Sequence, residues 1–304
     1  MKKRCILKYL SLCFVLFAPT MYGVGDLKVL AVPGQNGLGS EIDYVKRCLG
    51  NNKIDVTRVG TPKLRIDFGQ NNCMKCLREA LSSEKNEDDV IIHATSQGTA
   101  TVLNYLSTNR RARRRVKALI LESVLISGND AIKHTIKSGL MGPLKGVAKL
   151  PLSYYWLPYC AKFMFPFYWP GGKQVIKTLE NFPNDIPVII IHSRGDMQLS
   201  HRGALALYHG LRSNGNNNVY LIDPHGDRHI QILSRRPGAR KLVRDILARH
   251  NVIEQIGKPI DPVDLVNLQP NHNDDRYSNP YDDLNNKERW HTRLWATLVT
   301  GGVV

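Results

Sequence analysis

The sequence predicts an α/β fold, a mostly parallel sheet with helices on both faces, and two patterns carry that prediction. Five short apolar runs, at 28–32, 90–93, 118–121, 188–192 and 219–222, are rich in Val, Ile and Leu and show no polar alternation. Runs of this kind form strands that are buried on both sides. Stretches of helical spacing separate them, including 41–49, 99–106 and 204–211. Strands alternating with helices need crossover connections, and the crossovers lay helices over the sheet. At 304 residues the chain is long enough for one large domain, alone or with appendages.

Residues 1–25 read as an export signal. "MKKR" and Lys8 make a basic start, Ile6 to Ala18 form a short apolar stretch, and Gly23 and Gly25 follow. Cleavage is expected between Thr20 and Asp26, which sends the mature chain to the periplasm or outside the cell. The alternative is a retained membrane anchor. The shortness of the apolar stretch, and Lys8 within it, argue against that alternative.

The first core strand, 28–32, leads into the Gly-rich "VPGQNGLGSE" and then into the 41–49 helix. Residues 54–59 read as a further strand near a sheet edge. Beyond the leader stand Cys48, Cys73, Cys76 and Cys160, an even number that permits disulfides in an exported protein. Cys73 and Cys76 form a C-x-x-C, which can be a redox pair, a local disulfide or half of a zinc site. No second C-x-x-C completes four thiolate ligands, which argues against zinc. A structural or unpaired role is the expectation.

"VIIHATSQGTATVLNYL", residues 90–106, turns from strand to helix at Ser96. A serine raised on such a turn needs small residues two before and two after it, because strand and helix approach closely there. Ala94 and Gly98 supply them, although the first position is usually glycine. Small residues after a strand also serve as a plain turn, so the pentapeptide gains weight only from its partners. An activated serine needs a base, and the base needs an acid to hold its tautomer. "VIIIHSRGDMQLS" ends a strand with a loop carrying Asp196, and "VYLIDPHGDRHIQIL" ends the next with His225 and His229. Asp223 and Asp227 are further acids, but both lie too close to His229 along the chain for a rigid triad.

In "HATSQGT", "IHSRGDM" and "PHGDRHI" the chain resembles the α/β-hydrolase superfamily, over roughly residues 27–250. The order Ser, Asp, His along successive strand ends is that of its catalytic triad. The resemblance implies Ser96 as nucleophile, Asp196 as acid and His229 as base. His229 stands ahead of a helix-like segment, as in the family's G-x-x-H-x-x-x-L endings, and His225 is the alternative base. It also implies an oxyanion hole from the backbone N–H groups of Gln35 and Gln97, with Pro33 where the family often has His. A phosphate loop is disfavoured there, because G-x-x-x-x-G-K-[ST] is absent. No metal and no organic cofactor is implied.

Residues 127–182 occupy the place where that superfamily commonly carries a cap, and a helical, aromatic-rich cap is expected. Nine of the 20 residues in 151–170 are aromatic, against 8% of the whole chain. Individually these rings can simply pack the cap onto the core. As a cluster they favour a small-molecule or lipid ester with an apolar group. Residues 251–304, rich in Asn, Asp and Pro, read as a polar tail, partly disordered.

Lys and Arg outnumber Asp and Glu by 42 to 26, giving a net charge of +16. "NRRARRRVK" concentrates arginines at 110–115, a run that is ordinarily a solvated loop. Together with lysines of the cap, it can contact an anionic membrane surface or a polyanion. No base-stacking motif accompanies it, so no specific nucleic acid is expected.

The expected protein is therefore an exported serine hydrolase of carboxylic esters. A hydrolase of the acyl-peptide or aminopeptidase kind would use the same triad. A binding protein on the same scaffold would need none of it.

Overall fold

The computed structural model describes residues 27–34, 40–49, 54–60, 71–83, 89–137, 175–224 and 229–255. The expected export signal, most of the expected cap, and the expected tail from residue 256 lie outside the described residues. Gln35, His225, Asp227 and Cys160 lie outside them too.

Six strands form one sheet: β1 Lys28–Val32, β2 Asp55–Arg58, β3 Val90–Thr95, β4 Val116–Glu122, β5 Val188–Ile191 and β6 Val219–Ile222. Their order is β2-β1-β3-β4-β5-β6, and every pairing is parallel. The central register sets Leu30 beside Ile92 and Ile92 beside Leu119. Side chains alternate across the sheet. Leu30, Ile92, Leu119 and Ile190 pack on one face, and Val29, Ile91, Ile120 and Ile189 on the other. This explains the unbroken apolar runs of the sequence. Each such side chain, fully removed from water, contributes about 1.5–3 kcal/mol.

Helices cover both faces. Against the Leu30 face lie α2 (Asn71–Ser83) through Leu77 and Leu81, and α3 (Gln97–Thr108) through Val102, Leu103 and Leu106. The short α4 (Arg110–Arg113) follows α3 through Asn109, whose Oδ1 accepts from the N–H of Ala112 at 3.1 Å. Beyond β4 come α5 (Gly128–Lys137) and α6 (Val175–Thr178), and α7 (His201–Ser213) joins the same face through Leu207 and Leu211. Against the Val29 face lie α1 (Ser40–Leu49), α8 (Ile232–Arg235) and α9 (Pro237–Arg249). They contribute Tyr44, Leu49, Ile232, Leu233, Val243 and Ile246 to the core there. Pro237 opens α9, where its missing N–H costs no helical bond.

The arginine run departs from the expected solvated loop. Part of it is α4, and two of its guanidinium groups hold backbone. Arg113 donates to the carbonyls of Leu106 and Ser107 at the end of α3, and to that of Asn181. Arg115 donates to the carbonyl of Leu81 in α2. Helix ends leave such carbonyls without intrahelical partners, which is why cations collect there. Arg111 and Arg114 are exposed.

Among the described residues, no disulfide joins Cys48, Cys73 and Cys76. Burial pushes the Cys48 thiol up to about 12, which makes it a small apolar residue of the core. Among the described residues, no helix is long and apolar enough to cross a membrane.

Candidate active site

Because all strands are parallel, the C-terminal ends of β3, β4, β5 and β6 open on one edge of the sheet. Ligand sites of open α/β sheets lie at that edge. Ser96 follows β3 there and immediately precedes α3, with φ 50 and ψ −119. A positive φ is costly for a side chain larger than hydrogen, and its retention needs surrounding constraints. Those constraints are visible. The N–H of Ser96 donates to the carbonyl of Glu122 at 2.9 Å, and its carbonyl accepts from Thr99 Oγ1 at 2.6 Å. Thr99 Oγ1 in turn accepts from the N–H of Leu125 at 2.9 Å, tying the turn to the segment after β4.

The small residues flanking Ser96 have a steric reason. A β-carbon on Gly98 would overlap the carbonyl oxygen of Val32 and stand 2.8 Å from that of Pro33. On Gly34, a β-carbon would stand 2.8 Å from that of Ser96. The N–H of Gly34 is held by Thr95 Oγ1 at 3.0 Å, which fixes the β1 loop against the turn.

The structure brings three of the singled-out side chains together. His229 Nε2 is 3.0 Å from Ser96 Oγ, and His229 Nδ1 is 2.8 Å from Asp196 Oδ2. Asp196 is buried, with its other oxygen accepting from the N–H groups of Gln198 at 2.8 Å and Leu199 at 2.9 Å. Burial would raise its pKa. The hydrogen bond and charge of His229 outweigh that effect and hold it below the ordinary carboxylate value. With Asp196 as acceptor, His229 carries its proton on Nδ1 and presents a bare Nε2 to the hydroxyl. An imidazole so held can take a proton from a serine hydroxyl.

Behind Asp196 lies His192, fully buried. Its Nδ1 accepts from the N–H of Val124 at 3.0 Å, its Nε2 faces the carbonyl of Leu199 at 3.2 Å, and Asp196 Oδ2 is 3.9 Å away. Burial drives its pKa down to about 4, so it is neutral at ordinary pH. Helix α5, at the start of the segment where a cap is expected, also reaches this loop. His134 of α5 lies 2.9 Å from the carbonyl of Asp196, and Thr135 donates to that of Gln198 at 3.2 Å.

Asp223, the nearer acid along the chain, is engaged by Arg194 Nε at 2.6 Å and by His201 at 3.3 Å. Gln97 is the first residue of α3, where an N–H has no intrahelical acceptor, and its side chain turns away to Cys73 Sγ at 3.6 Å. Gln35 and His225 fall outside the described residues. Among the described residues, no group of three His, Cys, Asp or Glu side chains is arranged to hold a metal ion.

In three dimensions the chain is similar to an esterase of Pyrococcus furiosus. The identity is 17%, the match covers 74% of this chain and 83% of that one, and the TM-score is 0.51. Two further crystal forms of that esterase match with TM-scores of 0.51 and 0.50. The chain has the α/β-hydrolase fold. No protein-family model matches its sequence, and no curated protein does. Glu122, whose carbonyl holds the Ser96 N–H, and His192, beside Asp196, are neighbours of these side chains that sequence reasoning missed. Only the "HS" after the β5 run, His192 and Ser193, offered any signal, and it read as a strand end.

Proposed function

We propose that the protein is a serine hydrolase of carboxylic esters acting through an acyl-enzyme. The observation that carries this reading is His229, set 3.0 Å from Ser96 Oγ and 2.8 Å from Asp196 Oδ2. Ser96 Oγ attacks the ester carbonyl while His229 Nε2 takes its proton. Asp196 holds Nδ1–H and stabilises the imidazolium that forms. The carbonyl oxygen becomes an oxyanion facing the backbone N–H of Gln97, with that of Gln35 as the second donor. As the tetrahedral intermediate collapses, the alkoxide leaves with the proton from His229. Water then gives a proton to His229 and attacks the acyl group, and the acid departs as Ser96 Oγ regains its hydrogen.

An ester is the favoured substrate on two grounds. The aromatic cluster at 151–170 suits an apolar acyl or alcohol group, and the Pyrococcus furiosus protein that shares the fold is an esterase. The basic leader with its apolar stretch supports action outside the cytoplasm.

Turnover of nitrophenyl esters of increasing acyl length tests the reading. The wild-type protein is expected to hydrolyse them, and Ser96→Ala to lose at least about 1,000-fold in kcat while staying folded. A folded wild type that cleaves none of them, or a Ser96→Ala protein that cleaves as fast, would overturn it.

A further inference from the structure

Glu122 and Ser123, at the end of β4, touch both halves of the site. The carbonyl of Glu122 accepts from the N–H of Ser96 at 2.9 Å. Its side-chain Oε1 accepts from the N–H of Ile232, and Ser123 Oγ accepts from the N–H of Ile230 at 3.0 Å. Ile230 and Ile232 flank the turn that follows His229. One dipeptide therefore ties the backbone of the serine to the backbone that carries the histidine.

The tie opposes strain. Ile230 and Gln231 both have positive φ, 53 and 64, and for a β-branched residue this is a rare conformation. Two successive residues of this kind persist only where surrounding bonds hold them. Ser123, itself at φ 53, is pinned through its N–H to the carbonyl of Ile191 at 2.8 Å. The anchor is thus fixed to β5 as well as β4.

Glu122 is also out of place unless it has a task. It is a carboxylic acid with no solvent exposure, among apolar strands. Its Oε2 lies 3.4 Å from His93 Nε2, and that buried histidine makes a T-shaped contact with Tyr44. An apolar residue would fill this place without the cost of burying a carboxyl. What it could not do is accept from Ile232.

We propose that Glu122, with Ser123, is a positioning residue: it clamps the His229 turn to the Ser96 turn and so sets the distance between base and nucleophile. This rests on the hydrolase reading above. Neither residue touches the reacting atoms, and the effect runs wholly through His229.

The test compares Glu122→Ala, Glu122→Gln and Ser123→Ala in the full chain. Two readouts are followed, the rate at which a small fluorophosphonate labels Ser96 and the downfield proton resonance of His229 Nδ1–H. Glu122→Ala and Ser123→Ala are expected to slow labelling about 10- to 100-fold and to shift or broaden the resonance. Glu122→Gln, whose amide oxygen still accepts from Ile232, restores most of the rate and the resonance. A merely structural role would lower the melting temperature in all three and leave the resonance of the folded protein in place. If Glu122→Ala does not fold, Ser123→Ala carries the test by itself.

Folded variants with wild-type labelling and an unshifted resonance would overturn the clamp. A wild type that shows the resonance yet never labels would instead overturn the hydrolase reading, and the clamp would then be judged by the resonance alone.

Discussion

Gly98 passes so close to Val32 that a β-carbon on it would overlap the Val32 carbonyl oxygen and stand 2.8 Å from that of Pro33. The obstacle is backbone at the end of β1, not the tip of a flexible side chain, so it has no easy way to yield. The first turn of α3 can therefore approach β1 only with glycine at this position. Ser96, two residues earlier, is aimed by that approach.

Gly98→Ala should accordingly separate α3 from β1 and turn Ser96 away from His229. The expected cost is about 1–3 kcal/mol of stability. A loss of labelling at Ser96 should accompany it in the protein that remains folded. Urea unfolding and a fluorophosphonate labelling assay read the two effects separately.

Ser96 holds a φ of 50, a strain that serves the placement of its hydroxyl. Glycine adopts such a backbone without penalty. Ser96→Gly should therefore stabilise the protein by about 1 kcal/mol, raising the melting temperature by about 2 °C, while abolishing turnover. Calorimetry checks the sign. A fall in melting temperature would mean that the strain is smaller than the chain entropy glycine adds to the unfolded state and the lost contact with His229.

His192 makes stability depend on pH. Unfolded, it titrates near 6.5, and folded, burial lowers that to about 4. Between those values the unfolded chain binds more protons, so stability declines as pH falls from 6.5 and levels off below about 4. His250, also lowered by burial, adds a contribution of the same sign. Asp196, with its pKa held below the ordinary 3.8, adds a further loss at still lower pH. The His192 share amounts to about 3 kcal/mol. Urea unfolding between about pH 7 and about pH 4 measures the slope, which His192→Asn should flatten.

Arg113 ties the end of α3 to the carbonyl of Asn181 through hydrogen bonds away from Ser96. Arg113→Ala should cost about 1–3 kcal/mol of stability, by leaving carbonyls without their donor. Its kcat should stay at the wild-type value. A matching loss of activity in folded protein would show that the α3 terminus is coupled to the site.

Much of the fold was legible because burial on both faces removes polar residues from a strand. The runs at 188–192 and 219–222 carry that signature with almost no ambiguity, and the structure ends β5 one residue earlier, at Ile191, and gives β6 the same residues. Ser96, Asp196 and His229 stood out because each follows such a run, where parallel topology gathers strand ends on one edge. Glu122 was illegible for a physical reason. A glutamate after an apolar run reads as the point where a strand meets water, whereas here it is fully buried and accepts from the N–H of Ile232, far along the chain. Arg113 was misread likewise, since its partners are the carbonyls at the end of α3 and that of Asn181, which the run of charge does not reveal.

The central claim is that His229 and Asp196 activate Ser96. The most direct measurement is covalent labelling of the purified protein by a fluorophosphonate, with the modified peptide identified by mass spectrometry. We predict a single adduct on Ser96, absent in Ser96→Ala and slowed about 1,000-fold or more in His229→Ala and Asp196→Asn, all three remaining folded. An adduct on another residue, or labelling of His229→Ala at the wild-type rate, would contradict the account.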